Sequence, residues 1–146
     1  MTPSTANMSV TEFPQHYATL APRQGDQTAV YAGSAASDHF FRDRSNFITY
    51  EPYHASAQSS EQNTNLEIVG RGRAQKTLYE GGKKLTLTFE NALHAPDITS
   101  DLISVGRLDQ LGYQILFGNG QARFFSPKGV HFLTGYGSGR LYRLIE

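Results

Sequence analysis

One short loop contains the residue types that could carry out chemistry. Ser34, Ser37, Asp38 and His39 lie close together, directly after the apolar run Ala29 to Tyr31. A strand that ends in a loop of small residues often presents short side chains or backbone to a ligand. Serine near histidine would suggest a nucleophile with its base, and aspartate beside histidine would suggest general-base chemistry. The loop is therefore the first candidate for a catalytic site.

The pattern around this loop does not favour either kind of catalysis. A serine nucleophile needs an oriented third residue and an oxyanion loop, and the sequence shows neither. Adjacent residues of an extended chain point to opposite faces, so Asp38 is predicted to be a solvated or turn-capping residue. Asp43 and Asp97 are likewise predicted to lie in turns. The remaining histidines, which have no metal-ligand spacing, are His16, His54, His94 and His131.

Composition restricts the class of protein. The chain has 146 residues, 38% of them hydrophobic, which fits one globular domain. The formal net charge is zero, so attraction to nucleic acid is not favoured. There is no cysteine, which excludes thiol catalysis and cysteine-containing zinc sites. No apolar run approaches the roughly 20 residues that span a bilayer, and no signal-peptide pattern opens the chain. We expect an intracellular protein, cytoplasmic or nuclear, that needs no cofactor, metal or membrane.

Basic residues on one predicted hairpin are interpreted as a solvated face and not as a nucleic-acid site, because acidic residues lie nearby. They are Arg71, Arg73, Lys76, Lys83 and Lys84.

The order of short apolar runs and turns predicts an all-β domain. Residues 1–26 are rich in Thr, Ser, Pro, Ala and Gln and form a predicted flexible tail, with at most a short ordered segment near residues 13–20. Residues 27–146 form the predicted domain. Within it, Ala74 to Tyr79 and Lys84 to Phe89 alternate on either side of a Gly-Gly pair, which indicates a β-hairpin. A strand is predicted over residues 47–50 and a polar loop over residues 54–65.

One short helix interrupts the strands. Leu102, Leu108 and Leu111 follow helical spacing over residues 101–111, so burial of Leu108 and Leu111 is expected. Thr99 or Ser100 would cap this helix, and strands are predicted again after it.

The loop and several later segments resemble, in family order, the protease region of copia-type retrotransposon Pol polyproteins. The family loop reads Asp-Ser-Gly-Ala-Ser, any residue, then His. This chain reads Gly33-Ser34-Ala35-Ala36-Ser37-Asp38-His39. The other similar segments are Ile68-Val69-Gly70-Arg71-Gly72, Leu93-His94-Ala95-Pro96-Asp97, Asp101-Leu102-Ile103-Ser104-Val105-Gly106-Arg107-Leu108, Gly129, and Leu141-Tyr142 with Leu144.

The resemblance implies a retropepsin-like fold, a small closed or partly open β-barrel with one short helix. Retropepsins are homodimers in which each subunit lends one Asp, and the two carboxylates share a proton and activate a water. In this chain Gly33 holds the position of that Asp, and Ala35 holds the position of the motif glycine. The resemblance therefore implies a degenerate motif with no catalytic residue. Its members are Gly33, Ser34, Ala35, Ala36, Ser37 and His39.

Three functions stay open at this point. The first is an inactive retropepsin-like domain retained to bind an extended peptide or a protein, since extended peptides add to strand edges. The second is an active aspartic endopeptidase that uses a displaced acid, and the third is a monomeric β-barrel interaction module. The strands predicted after the helix could cover apolar surface within one subunit, so we expect a monomer or a weak homodimer.

Overall fold

The computed structural model describes residues 16–18, 29–59 and 65–146, which form eleven strands and one short α-helix. The strands are β1 (Tyr17–Ala18), β2 (Val30–Gly33), β3 (Phe40–Phe41), β4 (Glu51–Ser59), β5 (Asn65–Glu80), β6 (Lys83–His94), β7 (Asp101–Ser104), β8 (Gln114–Gly118), β9 (Gln121–Phe125), β10 (His131–Ser138) and β11 (Leu141–Leu144). The helix α1 spans Val105–Gln110, and a 3-10 turn spans Arg44–Asn46.

All of these strands join one sheet, in the order β1-β4-β5-β6-β3-β7-β2-β11-β10-β9-β8. β1 and β8 stand at the two ends of this order, and within the described residues they do not pair with each other. The sheet is therefore open and is not closed into a barrel. This confirms the predicted all-β fold with one short helix. Of the two predicted forms, closed and partly open, the structure has the partly open one.

The strand β7 lies between β2 and β3 at the centre of the sheet. It runs parallel to β2, with Asp101 beside Val30, and antiparallel to β3, with Leu102 beside Phe40. Every residue of these three strands is buried. Strands that are covered on both faces need apolar residues without alternation, which fits the apolar runs of β2 and β3. In β7 two buried polar residues, Asp101 and Ser104, stand on either side of the apolar pair.

Two hydrophobic cores lie on opposite faces of these central strands. Neighbouring residues enter opposite cores because side chains alternate along a strand. The first core contains Ala18, Ala29, Tyr31, Ala36, Phe40, Ala57, Leu66, Ile68, Leu93, Ala95, Ile98, Leu102 and Leu141. The second core contains Val30, Ala32, Phe41, Phe47, Ala74, Leu78, Phe89, Ala92, Ile103, Val105, Ala122, Phe124, Leu133 and Leu144.

The long hairpin of β5 and β6 confirms the predicted one. Its two turn residues, Gly81 and Gly82, have φ angles of 56° and 79°, which a two-residue turn of the primed type requires. Leu85, Leu87 and Phe89 pack on the second core from alternate positions of β6. The polar residues between them are exposed, as the alternation predicts.

Two glycines of β5 let another segment cross it at close range. A β carbon at Gly72 would overlap the carbonyl oxygen of Thr49, and one at Gly70 would overlap the ring of Tyr50. The Tyr50 hydroxyl then reaches Nδ1 of His94, 2.8 Å away. The Gly-x-Gly pattern of this strand is therefore a requirement of packing.

The prediction of a helix over residues 101–111 is wrong in its first part. Residues Asp101–Ser104 form β7, because Leu102 and Ile103 enter opposite cores, which neighbouring residues of a strand do naturally. The helix begins at Val105, and its N-cap is Ser104 rather than either predicted cap.

The apolar stripe of the helix is correspondingly shorter than predicted. Leu108 is half-buried against the second core, but 63% of Leu111 is exposed, so the predicted burial of Leu111 is wrong. At 3.6 residues per turn, a helix of six residues makes fewer than two turns and offers few positions to a core.

The predictions on either side of Glu51 are also wrong. β4 covers residues 54–59, the first half of the predicted polar loop, because Ala55 and Ala57 reach the first core from alternate positions. The predicted strand before Glu51 makes only an isolated bridge, between Phe47 and Ala74, before it crosses β5.

The short strand β1 lies inside the predicted tail, in the segment where some order was expected. It pairs in parallel with the end of β4. The predicted tail boundary at residue 26 falls outside the described residues and stays a prediction.

The glycine crossing predicts opposite effects of two alanine substitutions. Gly72→Ala places a methyl group against a backbone carbonyl and should lower the free energy of unfolding by about 1–3 kcal/mol or more. In α1, the β carbon that Gly106→Ala adds would lie 3.8 Å from the hydroxyl of Ser104, an ordinary contact. This variant should raise the free energy of unfolding by about 0.5–1 kcal/mol, because alanine favours a helix over glycine. Urea unfolding of the two variants measures both. Equal stability of Gly72→Ala and the unchanged chain would contradict the close crossing.

Candidate functional site

The predicted degenerate motif begins at Gly33, the last residue of β2, and continues through the loop between β2 and β3. Because β7 lies between these strands, the loop passes over the end of β7 where α1 begins. Ser34 and Ala35 are exposed, whereas Ala36 and His39 are buried. Ala35 does not need the freedom of the motif glycine it replaces, since Asn91 and Asn119 are the only described non-glycine residues with a positive φ.

Gly33 faces apolar side chains. A β carbon at this position would lie 2.8 Å from Cδ2 of Leu141 and 3.6 Å from Cδ1 of Leu102. Both leucines belong to the first core. A carboxylate at residue 33 would displace Leu141 and would lose solvation in these surroundings. Glycine supplies neither an acid nor a base.

His39 is a structural residue of the loop. Its Nδ1 accepts a hydrogen bond from the backbone N–H of Ser104 at 3.0 Å, and its ring meets Phe89 edge-on at 4.9 Å between centroids. Burial, with a smaller contribution from the charge of Arg107, lowers the pKa of His39 to about 3. The imidazole is therefore neutral near pH 7, and the nitrogen that could act as a base is already occupied.

The Ser104 hydroxyl joins the loop to the helix. It donates to the carbonyl oxygen of Ala36 at 2.7 Å and accepts from the backbone N–H of Arg107 at 3.1 Å. The second bond is the N-cap of α1. The backbone N–H of Ser104 also bonds His39. Ser104 therefore holds the loop at two points, Ala36 and His39, and caps the first turn of the helix.

Asp38 is not solvated, which is one of the two roles that the sequence predicts for it. Its Oδ2 lies 2.8 Å from Nδ1 of His16 and accepts from the hydroxyl of Ser37 at 2.6 Å, and its Oδ1 accepts from Nη1 of Arg107 at 3.1 Å. Only 14% of the side chain is exposed. Burial alone would raise the pKa of Asp38, but the hydrogen bonds from His16 and Ser37 and the charges of His16 and Arg107 lower it overall.

His16 extends this network to the sheet. Its Nε2 lies 3.2 Å from the hydroxyl of Tyr53 on β4, and the two rings meet edge-on. His16 therefore bridges Asp38 of the loop and Tyr53 of the sheet. No signal in the sequence indicates this contact, because His16 lies in a polar segment 22 residues before Asp38.

Lys76 and Asp101 form a second partly buried ion pair. Nζ of Lys76 lies 2.9 Å from Oδ2 of Asp101, whose Oδ1 accepts from the backbone N–H of Arg42 at 2.9 Å. Burial would lower the pKa of Lys76, but the hydrogen bond and charge of Asp101, with the charges of Glu146 and Asp43, raise it overall. The prediction that Lys76 belongs to a solvated face is wrong.

The other predicted polar residues lie apart from the loop. Asp43, Asp97 and His54 are exposed. His131 forms a hydrogen bond with the hydroxyl of Thr134, which lies in the same strand, β10. Exposed ion pairs join Arg71 to Glu51 and Arg73 to Glu90, and Lys83 and Lys84 are exposed. Among the described residues, no group of three or more His, Asp or Glu side chains could hold a metal ion.

An apolar cleft of about 280 Å³ lies on the face of the central strands that carries the second core. Its walls come from β6, α1, β9 and β10 and include Leu87, Leu108, Phe124 and Phe132. These residues belong to or pack on the second core, whereas Gly33 faces the first. The cleft is therefore separate from the surroundings of Gly33.

Residues 30–113 match the family model described as "Pol polyprotein, beta-barrel domain". The chain belongs to this family. The match begins at the first residue of β2, includes the loop, the hairpin, β7 and α1, and ends before β8. It supports a region derived from the Pol polyprotein of a retroelement. Among curated proteins none matches the chain. Within the described residues, no helix has the length and apolar character needed to cross a membrane.

The environment of His39 predicts a pH dependence of stability. The pKa is about 3 in the folded chain and about 6.5 ordinarily, so between these values the unfolded chain binds a proton that the folded chain does not. The neutral, buried His39 therefore contributes fully to the free energy of unfolding above pH 6.5, and this contribution is lost as the pH falls toward 3. His39→Gln should reduce the slope of the unfolding free energy by up to about 1.4 kcal/mol per pH unit.

Urea unfolding at several pH values between about 7 and 4 measures this slope. His54→Gln, an exposed histidine replaced in the same way, is the matched control and should keep the slope of the unchanged chain. An unchanged slope in His39→Gln would show that His39 does not resist protonation.

Proposed function

We propose that this chain is a catalytically inactive, retropepsin-like domain of a copia-type retrotransposon Pol polyprotein. Its retained function is to bind an extended peptide or protein segment at a strand edge, inside the cell. It works as a monomer or weak homodimer and needs no metal or cofactor.

The absence of a carboxylate at residue 33 supports catalytic inactivity. Aspartic proteolysis requires two close carboxylates with different protonation states, and Gly33 gives none to either subunit of a symmetric pair. A displaced acid has little support. Asp38, the nearest acid along the chain, has both oxygens engaged by His16, Ser37 and Arg107.

One observation carries the binding part of the proposal: the outer edge of β4 already accepts a short extended segment, β1. The backbone N–H of Gln58 donates to the carbonyl oxygen of His16 at 2.9 Å, and the register pairs Tyr17 with Gln58. Addition of a strand to a sheet edge is a general mode of peptide recognition, in which the backbone supplies affinity and side-chain pockets supply specificity.

The C-terminal strands support a monomer. β11 pairs with the outer edge of β2, with Tyr142 beside Ala32, so this edge is covered by the same chain. A partner subunit is not needed there to complete the sheet.

The first prediction from this proposal is an absence of proteolysis. Unfolded casein incubated with the chain from about pH 3 to about pH 7 should show no pepstatin-sensitive cleavage, because Gly33 supplies no carboxylate to activate a water. An active aspartic protease in the same buffers is the positive control. Inhibitor-sensitive cleavage by the chain would overturn catalytic inactivity.

The second prediction concerns self-association. Sedimentation at micromolar concentration in ordinary salt should give a species close to the 16.2 kDa of one chain, because the edge of β2 is already paired. A tight symmetric dimer with the two Gly33 loops in contact would contradict the proposed monomer and would restore the full retropepsin arrangement.

A further inference from the structure

The segment on the edge of β4 makes contacts that go beyond backbone pairing. Among the strands that the structure describes, β1 pairs with β4 alone, in the parallel register that places Ala18 beside Ser59. Backbone bonds of this kind accept almost any sequence. Selectivity must come from the side chains of residues 16 and 18, which share one side of an extended segment.

His16 fits a site that the rest of the domain builds. Both of its ring nitrogens have partners, Oδ2 of Asp38 at 2.8 Å and the hydroxyl of Tyr53 at 3.2 Å. These partners are held by other residues, since Arg107 bonds the second oxygen of Asp38 and the guanidinium of Arg71 stacks 4.3 Å over the ring of Tyr53. The site for an imidazole is therefore formed by side chains outside the segment.

Ala18 fits a site of a different kind. Only 1% of it is exposed, and it belongs to the first core together with Ala36 of the loop and Ala57 of β4. A larger or charged side chain would overpack this core or lose its solvation. The position therefore accepts a small residue.

We infer that the outer edge of β4 is a peptide-binding site selective for an extended segment with histidine at one position and a small residue two positions later, and that the chain's own residues 16–18 occupy it. The inference rests on the proposed function and names the peptide that it would take. Because residues 16–18 belong to the same chain, they compete at a high effective concentration. A separate peptide binds well only when the internal segment is released.

The variant Ala18→Glu releases the internal segment in the full chain. Its matched control is Ala35→Glu, the same substitution at an exposed alanine of the loop. The probe is a fluorescent peptide with the sequence of residues 11–22, Thr-Glu-Phe-Pro-Gln-His-Tyr-Ala-Thr-Leu-Ala-Pro. Fluorescence anisotropy should give a Kd at least about tenfold lower for Ala18→Glu than for the unchanged chain or Ala35→Glu, because only the first has an open site.

Three further peptides test selectivity on the released variant. Alanine in place of the histidine should weaken binding about tenfold or more, since a charge-assisted hydrogen bond is lost. Glutamate in place of the small residue should abolish binding, and serine there should preserve it. Adding Asp38→Asn to the released variant should reduce the preference for histidine, because the preference depends on the Asp38 carboxylate.

The outcomes separate this inference from the proposed function. Equal binding of all four peptides would overturn the selectivity and leave the peptide-binding function standing. Binding of none of them to a folded variant would overturn both.

A second measurement applies if Ala18→Glu does not fold. His16→Ala removes the imidazole without adding a charge, and the exchange rate of the Gln58 amide reports whether the segment stays paired. Exchange should become at least about tenfold faster. Unchanged exchange in folded His16→Ala would show that the imidazole does not anchor the segment and would overturn the inference.

Discussion

The hydrogen bonds of Ser104 are the constraint on which the candidate site depends. Its backbone N–H holds the ring of His39, and its hydroxyl holds the carbonyl of Ala36 and caps the helix that follows. Because Ser104 is fully buried, a lost bond would leave a polar group without solvent. The loop, the central strand and the start of α1 are therefore fixed by one residue.

This arrangement holds the loop in place without any side chain at residue 33. None of the bonds that hold the loop passes through a side chain at residue 33, and Gly33 only leaves room for Leu141. Two polar residues of the loop have structural contacts: His39 binds β7, and Ser37 binds Asp38. The conformation of the loop therefore does not depend on an acidic side chain at residue 33.

The sequence predicted the parts of the fold that local rules determine. The Gly81–Gly82 turn and the alternation of β6 needed no tertiary information. Residues 101–104 were predicted as helix because helical and strand spacing cannot be told apart over so few apolar residues, and two cores decided the outcome. The contact of His16 with Asp38 had no signal, since it joins two polar segments that only the sheet brings together.

The pairing of β2 with β11 sets the order in which this domain can be completed. β2 begins at residue 30, and its outer edge is covered only by residues 141–144, more than a hundred positions later. Contacts of such long sequence separation slow folding, because a large loop must close before they form. On the ribosome, that edge stays open until residues 141–144 have been synthesised, and an unpaired strand edge is prone to aggregation in the meantime.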